Sequence, residues 1–228
     1  MTPTVTIGPA KLYLGNSYEI RGSIGWHDCD CEDPPYDFDN EGGGKWRKDR
    51  PAGRQMIDEG LTDGFEHTII NPLLCGSVVV FCHVDQIGPL KTYLDGTFHR
   101  VAMLNWLKPN PSPHRNKHYL ADTETYFHCW NRGYHPIGDH HDMHRWISSP
   151  SMPSKTYGHS TVKPDAVMEK IMRNINAQSV CDPFMGTGST GVAAILSGKT
   201  FSGIEHNEKH FETAVKRITE AVRIMEEA

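Results

Sequence analysis

No part of the 228-residue chain stays apolar for long: the most continuous run is CGSVVVFCHV, residues 75–84, about half of what a bilayer-spanning helix needs. The first residues lack a charged then apolar leader, so neither secretion nor membrane insertion is expected. The six cysteines, Cys29, Cys31, Cys75, Cys82, Cys129 and Cys181, fall at no paired spacing. A chain of this size buries enough core to fold without covalent staples, so reduced thiols are expected. A basic surplus is missing too, since 23 Lys and Arg stand against 28 Asp and Glu. That balance does not advertise a nucleic acid partner, whose phosphates call for clustered cations. There is no internal repeat, and length predicts one domain over residues 1–228.

What the chain does have is an alternation of strand-like and helix-like apolar periods, which predicts an α/β layer fold. VTIGPAKLYLG (5–15) reads as a strand with a turn, and IGWHDCDC (24–31) as a weak strand with little apolar content. A helix is predicted over 64–74, a strong strand over 76–83, a short helix over 85–94, and a β-branched and aromatic run ending at Trp106. Pro164 suits the first position of a helix, with Asp165 in its first turn and Val167, Met168, Ile171, Met172 and Ile175 as its apolar stripe. SVCDPF (179–184) reads as a buried strand, GSTGVAAILSG as a helix and TFSGIE (200–205) as a strand. A last helix is capped by Asn207 and carries Phe211, Ala214, Val215, Ile218, Val222 and Met225 at helical spacing. Residues 37–60, glycine-rich and basic, read as a mobile loop, and 131–158, dense in His, Pro, Trp and Ser, as a surface insertion.

Between the strand at 179–184 and its helix, Gly186, Gly188 and Gly191 form a G-x-G-x-x-G loop. Such glycines permit a tight turn and close approach of the backbone to a ligand, while the helix start offers free amides. Glu205 follows 19 residues after Gly186, at the end of the next strand, where a carboxylate accepts bonds from both hydroxyls of a ribose. The set predicts a nucleoside-containing cofactor without saying which. Only 40 residues follow Gly188, and no second glycine loop precedes it, which disfavours a dinucleotide.

Asp33-Pro34-Pro35-Tyr36 is rare by chance, about one such chain in a thousand at average residue usage. A rigid turn would account for the prolines alone. The amine chemistry of nucleobases accounts for all four residues. An exocyclic amine is a poor nucleophile because its lone pair is delocalised into the ring, so an enzyme must hold its hydrogens as the nitrogen becomes tetrahedral. Asp33 can accept one hydrogen, a fixed carbonyl within Pro34 and Pro35 the other, and Tyr36 can stack on the base. The amine can then attack an electrophilic methyl group without a covalent enzyme intermediate.

These residues resemble the S-adenosylmethionine-dependent amino-methyltransferases of DNA, which act on adenine N6 or cytosine N4. Asp33–Tyr36 matches the family's D-P-P-Y, and DPFMGTGST (182–190) its D-P-F-x-G-[ST]-G-[ST]-[ST]. HSTVKP (159–164) is similar to its H-P-T-x-K-P, with Ser160 in place of a proline, and WLKPNPSP (106–113) to its W-x-K-x-N-P-x-P. The order, catalytic motif before cofactor motif, is that of the permuted β group, and the likeness runs from about residue 11 to 220. One departure concerns HDCDCE, mostly polar where the family's strand is apolar, which leaves that strand's burial open.

The resemblance implies a Rossmann-like class I methyltransferase fold, with a mostly parallel sheet, helices on both faces, permuted motif order and irregular loop insertions. It implies that Asp33, Pro34, Pro35 and Tyr36 act at the base. Asp182, Phe184, Gly186, Gly188, Ser189 and Thr190, with Asp33, would surround the methionine and sulfonium part of S-adenosylmethionine. Glu205 would hold its ribose, Thr161 and Lys163 would lie near its carboxylate, and Asn16 stands where the family often has an Asp near the adenine. D-P-P-Y is associated mainly with adenine, so N6 methylation of adenine flipped out of double-stranded DNA is the expected activity, with cytosine N4 the alternative. Methylation at cytosine carbon 5 would need a cysteine after a proline, and the chain has none.

A DNA substrate makes Lys45, Arg47, Lys48 and Arg50 candidate phosphate contacts, with His114, Arg115 and Lys117 as a second patch. Residues 131–158 are the candidate target-recognition segment. Within them DHHDMH (139–144) brings His140, His141 and His144 together, read as DNA-facing or solvated, with no metal expected. The resemblance also implies a cytoplasmic setting in a bacterium or phage-infected cell, and leaves open a homodimer and a cognate restriction endonuclease as partners. Rival readings are an RNA or glutamine methyltransferase, a nicotinamide-dependent oxidoreductase, and a catalytically silent relative that binds DNA or cofactor.

Overall fold

A computed structural model of the chain describes residues 1–37, 64–111, 119–152 and 162–227. The candidate phosphate contacts Lys45, Arg47, Lys48, Arg50, His114, Arg115 and Lys117, the expected mobile loop beyond residue 37, and Thr161 lie outside the described residues.

Among the described residues one sheet joins β1 (Val5–Ile7), β2 (Ala10–Leu14), β3 (His27–Glu32), β4 (Cys75–Cys82), β5 (Arg100–Leu107), β6 (Thr123–Trp130), β7 (Trp146–Ser148), β8 (Ser179–Asp182) and β9 (Thr200–Glu205). Their order is β1-β2-β9-β8-β3-β4-β6-β5-β7. The pairs β1–β2, β4–β6 and β5–β6 are antiparallel, and the others are parallel. The helices are α1 (Ser17–Ile20), α2 (Ile87–Thr97), α3 (Asp165–Asn174), α4 (Ser189–Leu196) and α5 (Glu208–Glu227).

β4 shows why the sheet needs helices on both faces. Its eight residues are all buried, so CGSVVVFC reads as a continuous apolar run rather than an alternating one. Val79 and Phe81 join the core built from α3, α4 and α5, while Val78, Val80 and Cys82 pack with Leu90 and Leu94 of α2. All five residues of the predicted α3 stripe are buried. On α5, Asn207 caps the helix by accepting from the N–H groups of Lys209 and His210, and Phe211, Ala214, Ile218 and Val222 are buried while Met225 is exposed. All six cysteines are free and buried. No described helix is long and apolar enough to cross a membrane.

Several expectations need correction. The helix predicted over 64–74 is only a 3-10 turn at His67–Ile69, because Thr68, Ile69 and Ile70 are β-branched and Pro72 turns the residue before it away from helical geometry. Pro164 is the N-cap of α3, with ψ 142°, rather than its first helical residue. β6 is a strand that the apolar pattern did not announce, although TETYFHCW is rich in Thr, Tyr, Phe and Trp. Residues 131–152, the described part of the expected 131–158 insertion, are tied into the fold. They contribute β7 to the sheet edge beside β5, Asn174 donates to the carbonyl of Ile137 at 3.0 Å, and Arg173 and Lys170 of α3 hold Asp142.

The weak strand becomes a central one. β3 lies between β8 and β4, and the chain leaves β8 toward β9 on one side and β3 toward β4 on the other. The sheet order therefore reverses between β8 and β3, and ligands of such sheets bind outside the carboxyl ends at that point.

Candidate active site

HDCDCE is buried by giving most of its polar groups fixed partners. His27 Nε2 lies 2.9 Å from Ser202 Oγ, and Asp28 accepts from the N–H groups of Gln178 and Ser179 at 2.9 and 3.0 Å. Asp30 receives two bonds of 2.8 Å from the guanidinium of Arg21, and both residues are almost wholly buried. Between them Cys29 and Cys31 supply the apolar contacts of the opposite face. Only Glu32, fully buried, has both carboxylate oxygens without a hydrogen-bond partner. Burial in the company of Asp30 and Asp182 raises the Glu32 carboxyl well above the ordinary carboxylate range.

Immediately after β3, the prolines end the strand and Asp33 enters a charged cluster. Lys163 Nζ lies 2.5 Å from Asp33 Oδ2, 2.9 Å from Glu124 Oε1 and 3.3 Å from the Tyr36 hydroxyl. The Tyr36 hydroxyl is 3.0 Å from Asp33 Oδ1 and 2.8 Å from Glu124 Oε1. Lys108 Nζ reaches Glu124 Oε2 at 2.6 Å. Burial pushes the Asp33 carboxyl up, against the ammonium of Lys163, and pushes the Tyr36 phenol up with the two carboxylates beside it. Lys163 is held protonated by Asp33 and Glu124 despite its burial. Glu124, at the start of β6, a strand the apolar pattern does not announce, carries no local mark in the sequence.

At the end of β8 the glycine loop turns tightly. Gly186 and Gly188 have φ of 52° and 86°, left-handed values that side chains with a Cβ rarely adopt. Glu205, at the end of β9, accepts from the N–H of Gly186 at 2.8 Å and from the N–H of Asn207 at 2.7 Å, which fixes its carboxylate at the mouth of the loop. Asp182 accepts from the N–H of Phe184 at 2.9 Å, and burial, with repulsion from Asp33 and Glu205, lifts its carboxyl to about 7.

One pocket gathers most of the predicted set: Asp33, Lys163, Asp182, Phe184, Gly186, Ser189, Thr190 and Glu205 line it, together with Pro35 and Ser17. Gly188 sits behind it as the cap of α4, and Pro34 is buried. Two residues of the expected set have polar side chains engaged within the protein. Lys163 lines the pocket but gives its ammonium to Asp33 and Glu124, and Asn16 spends its side-chain oxygen capping α1 through the N–H of Tyr18 at 3.0 Å. The neighbouring Ser17 reaches the pocket instead and donates to the carbonyl of Pro183. His140, His141 and His144 do cluster, with ring centres 6.0 and 6.2 Å apart, on the exposed 131–152 segment.

Electrostatically the pocket carries three carboxyl groups, Asp33, Asp182 and Glu205, and its one buried ammonium is already shared by two acids. Such a lining favours a ligand with positive charge near Asp33 and Asp182 and a pair of hydroxyls near Glu205, and disfavours a pyrophosphate. Phe184, edge-on to Tyr18 and Phe65 at 6.3 and 6.2 Å, adds an aromatic wall.

Residues 28–216 match the family described as DNA methylase, the N6 and N4 methyltransferases. The Type II methyltransferase M2.MboI of Moraxella bovis is 24% identical over 259 residues, spanning 94% of this chain and 89% of its own length. Among solved structures, M1.HpyAVI in complex with SAM is similar with a TM-score of 0.69 at 25% identity, covering 92% of this chain and 98% of that one. The PvuII DNA methyltransferase, described as cytosine-N4-specific, shares the fold with a TM-score of 0.66 at 16% identity, covering 97% and 94%.

Proposed function

The chain belongs to the DNA methylase family of N6 and N4 methyltransferases, and on that premise we propose that it transfers a methyl group from S-adenosylmethionine to the N6 amine of an adenine turned out of double-stranded DNA. The observation that carries this reading is the convergence of Asp33 with Asp182 and Glu205 in one acid-lined pocket at the point where the sheet order reverses.

The pocket fits the cofactor. Glu205 is fixed by two backbone N–H groups and keeps lone pairs for ribose hydroxyls, and Asp33 and Asp182 offer negative charge where a sulfonium would lie. When bound, S-adenosylmethionine would supply an electrophilic methyl group, its methyl–sulfur bond breaking with the electron pair left on a neutral thioether. Asp33 accepts one hydrogen of the target amine and the Pro34 carbonyl the other, so the nitrogen lone pair is released from the ring as the new N–C bond forms. Tyr36 is anchored through its hydroxyl, which leaves its ring to stack on the base. The amine is left with one proton too many, and Asp33, raised by burial, is suited to take it. Lys45, Arg47, Lys48, Arg50, His114, Arg115 and Lys117 are assigned to the phosphates, and the segment from Asn131 to base recognition.

Incubation with methyl-labelled S-adenosylmethionine and mixed-sequence duplex DNA, followed by digestion to nucleosides, tests the reading. Label is expected in N6-methyl-2′-deoxyadenosine and lost in Asp33→Ala. Label confined to cytosine would move the assignment to N4, and tight NADH binding with no binding of S-adenosylmethionine would end it.

A further inference from the structure

Three separated motifs meet on Glu124, which belongs to none of them. Asp33 and Tyr36 come from the loop after β3, Lys108 from the WLKP segment after β5, and Lys163 from the residues before α3. Glu124 Oε2 takes Lys108 at 2.6 Å, while Oε1 takes Lys163 at 2.9 Å and the Tyr36 hydroxyl at 2.8 Å. The register of β5 against β6, which sets Trp106 opposite Glu124, delivers the carboxylate to this place.

The Tyr36 hydroxyl has one proton and two carboxylates within reach. Given to Asp33 Oδ1, at 3.0 Å, it would take one of that oxygen's two lone pairs and weaken it as the acceptor for the amine hydrogen, while Oδ2 already takes Lys163. Given to Glu124, at the shorter 2.8 Å, it leaves Asp33 Oδ1 open. Two ammonium groups keep Glu124 a strong, permanently charged acceptor: burial alone would raise it, and Lys163 and Lys108 hold it down at about 2.

We infer that Glu124 is a positioning residue for methyl transfer, drawing the Tyr36 proton and part of the Lys163 charge away from Asp33 so that Asp33 can accept the target amine. The inference rests on the methyl-transfer reading given above. It makes the acid on β6 as necessary to the amine site as the motif residues themselves, though it touches neither substrate.

A double-mutant cycle on methyl transfer tests it. Glu124→Gln keeps shape but weakens the acceptor, so the Tyr36 proton turns to Asp33. We expect kcat to fall at least about tenfold, a barrier increase of about 1.4 kcal/mol, with the KM for S-adenosylmethionine changed less than about threefold. In a Tyr36→Phe background, where no proton is left to misdirect, the same substitution should cost distinctly less. If E124Q folds poorly, Glu124→Gln with Lys108→Met removes one ammonium with the carboxylate charge and is measured in its place. Full kcat in E124Q, or losses that multiply independently with Y36F, would overturn the inference while leaving the function intact. A wild-type chain that transfers no methyl group to DNA would overturn both.

Discussion

The backbone N–H of Gly186 donates to Glu205 Oε2 at 2.8 Å, so the glycine loop and the acid 19 residues beyond it form one unit. The carboxylate both braces the turn and faces the pocket, with its remaining lone pairs available to a diol. Glu205→Gln replaces one acceptor oxygen by a donor facing either the loop or the ribose. Calorimetric titration with S-adenosylmethionine should show Kd raised about 10- to 100-fold, the equivalent of about 1.4–2.8 kcal/mol. An unchanged Kd would remove Glu205 from the cofactor site.

Gly188 is fixed by packing as well as by its φ of 86°. A Cβ there would lie 3.0 Å from Ala214 Cβ and 3.2 Å from Ala214 Cα, so α5 would have to retreat from the loop. Gly188→Ala is expected to destabilise the fold by about 1–3 kcal/mol, read as a lower urea midpoint. Adding Ala214→Gly should restore the packing part of the loss and not the backbone part.

Arg21 neutralises Asp30 inside the sheet with two bonds of 2.8 Å and also donates to the carbonyls of Gly25 and Leu74 at 2.9 Å. Arg21→Met leaves a buried acid alone, which costs about 3–5 kcal/mol for a broken buried pair. Combining it with Asp30→Asn should recover much of that loss, because the orphaned charge goes with it. Denaturant unfolding of the three variants measures the difference, and a mild loss in the single variant would show that the pair matters little to stability.

Glu32 gives the protein a pH signature. Its carboxyl is raised by burial, so between the ordinary carboxylate range and its folded value the native state holds a proton that the unfolded chain has released. Its contribution is most favourable to folding at acid pH and is lost as pH rises toward the folded value. Glu32→Gln does not titrate, so its thermal midpoint should match that of the parent below about pH 4 and exceed it increasingly up to about pH 8. A constant difference across that range would mean that Glu32 is ionised and partnered in the native state.

The polar strand shows where sequence and structure divide. HDCDCE looked too polar to be buried, yet Asp30 and His27 are buried because Arg21 and Ser202, 9 residues before and 175 residues after their partners, reach them. Periodicity measures how apolar a segment is, and it does not see partners supplied from elsewhere. A different fault, apolar period weighed above local residue type, turned 64–74 into a helix, where Pro72 and three β-branched residues prevail, and left β6 unread despite its Thr, Tyr, Phe and Trp.

By itself the sequence determined what depends on neighbouring residues: the glycine turn, the stiff Asp33–Tyr36 turn, the stripe of α3, the cap and most of the stripe of α5, and the strands flanking the loop. These follow from backbone freedom and local spacing, which act over a few residues. Only the tertiary structure decided that Lys163 serves Asp33 and Glu124, that Ser17 rather than Asn16 reaches the pocket, and that Glu124 joins three motifs. Those outcomes are set by sheet order and by the register of β5 against β6, which bring together charges 130 residues apart, as for Asp33 and Lys163.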